Sequence, residues 1–132
     1  MKKVFLGGTC NGSRWRDNLI PKLAIAYFNP VVDRWKREDL MVENLEKDNC
    51  DFSLYVITPK MKRFYVIAEV VDDSNKRPEK TLLCILDEDG ETEFSQDQKE
   101  SLRLVKELVS TNGGKVLGDL DEVADYLNRQ SE

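Results

Sequence analysis

The sequence predicts an α/β domain built on an open, doubly wound, five-stranded parallel sheet with helices on both faces. Two observations carry that expectation: five short, near-continuous apolar runs, and helical patterns alternating with them. The length of 132 residues matches one domain at roughly 100–200 residues per domain. A hydrophobic content of 40% suffices for one buried core. No repeat, low-complexity block or Pro/Ser-rich linker divides the chain, so residues 1–132 are read as a single domain.

The elements follow in order. Lys3-Val4-Phe5-Leu6 is a buried strand that delivers the chain into a tight loop at Gly7-Gly8. Ser13 is placed to cap a helix carrying Trp15, Leu19, Ile20 and Leu23, which Pro21 ends or kinks. Ala24 to Phe28 forms the second strand, stopped by Asn29-Pro30. Arg37 to Asn49 reads as a polar helix with a narrow apolar stripe of Leu40, Met41 and Leu45. Phe52 to Ile57 is the third strand, closed by Thr58-Pro59, and a helix runs from Arg63 to about Asp73. Thr81 to Leu86 is the fourth strand, followed by an acidic turn at Asp87 to Gly90. Ser95 caps a helix to Ser110 that Asn112-Gly113-Gly114 stops. Lys115-Val116-Leu117 makes the fifth strand, and an amphipathic helix from Asp119 to Arg129 closes the chain.

Composition narrows the chemistry. The chain has no histidine, which excludes Ser-His-Asp and Cys-His nucleophile systems, HExxH zinc hydrolases and Cys/His zinc sites. Cys10, Cys50 and Cys84 are too far apart for a CxxC motif and are read as free thiols, small residues of the core. With 25 acidic against 20 scattered basic residues the formal charge is −5, so a nucleic acid polymer is not the expected partner. No stretch approaches the ~18–20 apolar residues of a membrane span, and no signal-peptide core follows Met1-Lys2-Lys3. A cytoplasmic protein acting on a small molecule is the expectation.

In open parallel sheets the ligand lies outside the carboxyl ends of the strands, where strand order reverses. That rule selects the Gly7–Gly12 loop, Asn29-Pro30 and the segment after Thr58. The loop precedes a helix, so it reads equally as a plain turn or as a cradle of backbone N–H groups. Trp15 beside Arg16 offers a ring and a guanidinium for stacking on a base or acid, or a core residue with a solvated arginine. Glu69 stands among apolar residues in Tyr65-Val66-Ile67-Ala68-Glu69-Val70-Val71. A carboxylate withdrawn from water there has the raised pKa that acid, base and nucleophile roles use; the alternative is a carboxylate on a solvated helix face. Tyr65, four residues earlier, is on the same side to orient it. Glu43 and Asp51 supply further carboxylates, and two carboxylates converging on a sugar serve glycosyl transfer.

Lys3-Val4-Phe5-Leu6-Gly7-Gly8, Trp15-Arg16, Phe28-Asn29-Pro30, Cys50-Asp51 and Ile67-Ala68-Glu69-Val70, in that order, resemble the nucleoside 2-deoxyribosyltransferase family and its relatives that hydrolyse nucleotide N-glycosidic bonds. The resemblance implies a flavodoxin-like domain that needs no metal or organic cofactor. It assigns Glu69 as the nucleophile on the anomeric carbon and Glu43 as the residue handling the proton on the base. Phe5, Gly7, Gly8, Trp15, Arg16, Asn29, Asp51, Arg63 and Tyr65 are read as pocket residues for a nucleoside or nucleotide, and the resemblance further implies a homo-oligomer whose subunits complete one another's sites. The chain departs from the family at three places. Arg63 replaces an aspartate six residues before the nucleophile, Phe64-Tyr65-Val66 replaces a Gly-containing stretch, and Phe5 replaces a tyrosine that helps hold the nucleophile. Arg63 points instead to a phosphorylated ligand, or to a nucleotide-binding or sensing module without turnover.

Overall fold

The computed structural model describes residues 2–10, 12–32 and 34–130. Met1 and Asn11, which enter the sequence reading, lie outside the described residues. Five parallel strands form the main sheet: β1 (Lys3–Gly8), β2 (Ala26–Phe28), β3 (Phe52–Ile57), β4 (Thr81–Ile85) and β7 (Lys115–Leu117). A two-stranded hairpin of β5 (Glu88–Asp89) and β6 (Thr92–Glu93) stands between β4 and β7. The order is β2-β1-β3-β4-β7, which is the 2-1-3-4-5 order of flavodoxin-like sheets once the hairpin is set aside. The expected fold class is the observed one.

The pleat divides two cores. Val4 and Leu6, Phe52, Leu54 and Val56, and Leu82 and Cys84 face a layer made by α1 (Trp15–Leu19) and α5 (Leu120–Gln130). Tyr55, Ile57, Leu83 and Ile85 face α3 (Tyr65–Lys76) and α4 (Gln96–Thr111) through Val66, Val70, Leu102 and Val109. Every residue of β3 is buried, because a central strand covered on both faces has no solvent side to alternate with.

The helix α2 (Arg37–Asn49) departs from this pattern, since its one buried residue is Lys47. Leu40 turns toward a cavity, whereas Met41 is 71% exposed and Leu45 is also exposed. The apolar stripe expected there faces no core of this chain.

Other boundaries shift for identifiable reasons. Ser13 is not a helix cap: its hydroxyl donates to Asp89, and α1 starts after Arg14 with no side-chain cap. Pro21 sits in a 3₁₀ turn (Ile20–Lys22) that ends the helical stretch early. Strand β2 starts at Ala26, and α3 starts at Tyr65 rather than Arg63. The acidic turn is a hairpin folded about Gly90. Ser95 does cap α4, its Oγ accepting from Gln98 N at 3.1 Å while Ser95 N donates back to Gln98 Oε1 at 2.9 Å. Gly113, at φ +102°, terminates that helix in the left-handed region that glycine favours. Cys50 and Cys84 are buried as expected, but Cys10 is exposed. Among the described residues no helix is long and apolar enough to cross a membrane.

Candidate functional site

Strand order reverses between β1 and β3, and a cavity of about 780 Å³ opens at their carboxyl ends. Its floor comes from Phe5, Gly7 and Gly8 of β1 and Tyr55 of β3. Gly8 has φ +119°, and a Cβ there would stand 2.1 Å from the Val56 carbonyl oxygen. Only glycine lets β1 pass this close to β3, so Gly8 shapes the floor through its backbone.

The loop after β1 is held firmly. Thr9 N donates to Val56 O at 2.9 Å, and Thr9 Oγ1 accepts from Thr58 N at 2.9 Å. The Thr9 carbonyl accepts from Trp15 Nε1 at 2.7 Å and Arg16 Nη1 at 2.8 Å. Arg16 also gives Nε and Nη2 to the Leu6 carbonyl at 3.1 and 2.9 Å, and its guanidinium lies 4.3 Å from the Trp15 ring centroid. Burial lowers the Arg16 pKa from its ordinary value, with the Cys10 thiol opposing the shift. The ring and guanidinium expected to recognise ligand thus serve another end. Trp15 is a core residue outside the cavity lining, and Arg16 lines the cavity while holding the loop's carbonyls. An N–H cradle is also reduced, because the Thr9 amide already has a strand partner.

Asp51 needs a fuller correction. It lies at the amino end of β3, at the opposite end of the sheet from the cavity. There Oδ2 accepts from Lys3 N at 2.8 Å while Asp51 N donates to Lys3 O at 2.8 Å, clipping β1 to β3. Its carboxylate is a strand-end fastening.

The two glutamates do converge on the cavity. Glu69 projects from the second turn of α3 with its side chain 21% exposed, and Glu43 projects half-buried from α2. Burial raises the Glu69 pKa above the ordinary carboxylate range, and the Lys47 ammonium, 3.3 Å from Oε2, opposes the rise. Burial raises the Glu43 pKa as well, opposed chiefly by the Trp35 indole N–H, which donates to Oε1 at 3.2 Å. Asn29 lies on the β2 side of the cavity, while Arg63 and Tyr65 stand at its mouth. The Arg63 guanidinium is 5.4 Å from the Trp35 ring centroid. Tyr65 is exposed and does not orient Glu69; the donor to that carboxylate is Lys47.

Lys47, Tyr55 and Asp73 form a buried group behind Glu69 that the sequence reading missed. A signal was present, since Lys47 and Asp73 each follow a proposed carboxylate by four residues and so share its helix face. Trp35 lies on the loop before α2. Among the described residues no group of three or more cysteine and acidic side chains is arranged to hold a metal ion.

Fold and cavity together define a flavodoxin-like α/β protein with paired, withdrawn carboxylates at the strand-order reversal. The chain belongs to the nucleoside 2-deoxyribosyltransferase-like family, since the family model described as nucleoside 2-deoxyribosyltransferase like matches residues 1–88. Every cavity-lining residue falls within that span, and α4, β7 and α5 lie beyond it. No curated protein matches the chain.

Proposed function

We propose that the protein cleaves the N-glycosidic bond of a (deoxy)nucleoside or nucleotide through a covalent glycosyl ester on Glu69. The observation that carries this reading is the pairing of two partly buried carboxylates in one cavity with unlike donors: a cation on Glu69 and a neutral indole on Glu43. A cation favours the ionised form more strongly than a neutral donor, so Glu69 is the nucleophile and Glu43 holds the proton. A Glu69 oxygen bonds to C1′ as the C1′–N bond breaks, and the Glu43 proton passes to the departing base. Water or a second base then attacks C1′ and gives its proton to Glu43. The ester C–O bond breaks and its electron pair returns to Glu69.

This chemistry uses no metal or organic cofactor, and its partner is a small nucleoside or nucleotide in a cytoplasmic setting. Phe5, Gly7 and Gly8 would form the floor of its pocket, Asn29 its β2 side and Tyr65 part of its mouth. The test is release of free base from a panel of deoxynucleosides and their 5′-monophosphates. Glu69→Ala should lose at least 10³-fold in kcat/KM, on the order of 4 kcal/mol of transition-state stabilisation; equal rates for variant and wild type would sink the mechanism.

A nucleotide-binding module without turnover is the second reading, favoured by Arg63 over Trp35 at the mouth, a cation placed to meet a phosphate. It predicts a nucleotide-dependent rise in Tm with no base released.

A further inference from the structure

We propose that Lys47 is the positioning residue that aims the Glu69 carboxylate and keeps it ionised, with Tyr55 and Asp73 anchoring it for that task. The inference rests on the glycosyl chemistry assigned to Glu69.

Lysine is rarely buried without partners, and Lys47 is 5% exposed. An ammonium has three N–H bonds, and three acceptors meet this one: Tyr55 Oη at 3.0 Å, Asp73 Oδ2 at 3.2 Å and Glu69 Oε2 at 3.3 Å. The Tyr55 hydroxyl in turn donates to Asp73. Arg77 Nη2 lies 3.8 Å from Asp73 Oδ1. Arg77 Nη1 donates more closely to Asp48 Oδ1, at 2.9 Å, so Lys47 is the nearer cation to both Asp73 and Glu69. Two of the ammonium's partners, Tyr55 and Asp73, are fully buried, which fixes its position. The third is the carboxylate that lines the cavity.

The other charged and titratable groups around Glu69 do not duplicate this contact. Glu43, from α2, opposes its ionisation, as does Asp73 on its own helix. Arg63 from the loop before α3 and Arg16 from α1 line the same cavity, but Arg16 is engaged by carbonyls and Arg63 by the Trp35 ring. From β1 comes Phe5, a ring without a donor, stacked on Phe28. Among the described residues Lys47 supplies the hydrogen-bonding cation. It favours the ionised nucleophile before attack, and it favours the same carboxylate when the ester C–O bond breaks and the electron pair returns to oxygen.

The test compares wild type with Lys47→Met, Lys47→Arg and the double variant Lys47→Met/Asp73→Asn, which leaves no unpaired buried carboxylate at position 73. The readouts are the pH dependence of kcat/KM for base release and a ¹³C-carboxyl NMR titration of Glu69, assigned with Glu69→Gln. In both Lys47→Met proteins the acid limb and the Glu69 titration should move up by about 1–3 pH units, the range for loss of an adjacent opposite charge. Lys47→Arg should recover most of that shift. In the wild type, the Lys47 ¹³Cε resonance should report the Glu69 protonation step, and Glu69→Gln should lose it. A folded double variant with an unmoved Glu69 titration, or a wild-type Lys47 resonance blind to Glu69, overturns the proposal. A wild type that releases no base overturns the glycosyl chemistry alone, and the two titrations still decide whether Lys47 controls Glu69.

Discussion

Burial alone would push Glu69 and Glu43 in the same direction, and what separates them is the donor each one meets. The Trp35 N–H favours ionised Glu43, so removing it raises the Glu43 pKa further. A general acid with a higher pKa stays protonated to higher pH. Trp35→Phe should therefore move the alkaline limb of kcat/KM upward, by about one pH unit or less for one neutral hydrogen bond of ~1 kcal/mol. A limb that moves down, measured with the same substrate, would remove Glu43 from the acid role. Glu69 carries a stability consequence as well. Its folded pKa lies above the unfolded value of about 4.3. The stabilisation from binding that proton is present below the unfolded pKa and is lost as pH rises through the folded one. At pH 7 the ionised side chain therefore costs stability that a neutral amide does not. Glu69→Gln should melt at or above the wild-type Tm at pH 7, with the gap closing toward pH 4.

At the scale of elements, the hairpin is the part with most influence on the site from outside it. Asp89, at the end of β5, accepts from Ser13 Oγ at 2.5 Å and Thr58 Oγ1 at 2.7 Å, and Lys60 Nζ lies 3.8 Å from it. One carboxylate thus ties the loop after β1 to the loop after β3, the two loops that border the cavity. Asp89→Ala should destabilise the fold by about 1.5–3 kcal/mol, as expected for hydrogen bonds to a charged group. It should also raise KM more than it lowers kcat; urea denaturation and steady-state kinetics read the two effects. None of this was legible in the run Asp87-Glu88-Asp89-Gly90, which announces only a turn, because the partners lie 76 and 31 residues away. The strands were legible because a sheet covered on both faces needs unbroken apolar runs, and β3 and β4 supply them. Glu69 was legible for the same reason, a charge standing in an apolar window. Asp51 misled because a carboxylate at a strand end looks the same in sequence whether it faces a ligand or a neighbouring strand's amide. Tyr55 was hidden inside the apolar run of β3, where nothing marks a hydroxyl that meets a buried lysine.

For the whole molecule, the unsettled surface is the outer face of α2 together with the start of α3. Met41, Val42 and Leu45 are exposed on α2, and Phe64 and Tyr65 are exposed where α3 begins, with Tyr65 and Arg63 lining the cavity. Exposed large apolar side chains along one helix face, as on α2, mark interaction surfaces, and a second copy is the occupant the family resemblance implies. Each copy carries −5, so association through this face works against net repulsion that salt screens. Self-association should therefore tighten between low salt and about 0.15 M, the reverse of a contact held by ion pairs. Met41→Glu/Leu45→Glu should shift the mass measured by sedimentation equilibrium to that of one chain. Because both positions are exposed, the monomer's own stability should change by no more than about 0.5 kcal/mol per site. A wild-type protein that sediments as one chain at every concentration and salt would leave this face without a second copy, and the cavity would then have to work with its mouth open to solvent.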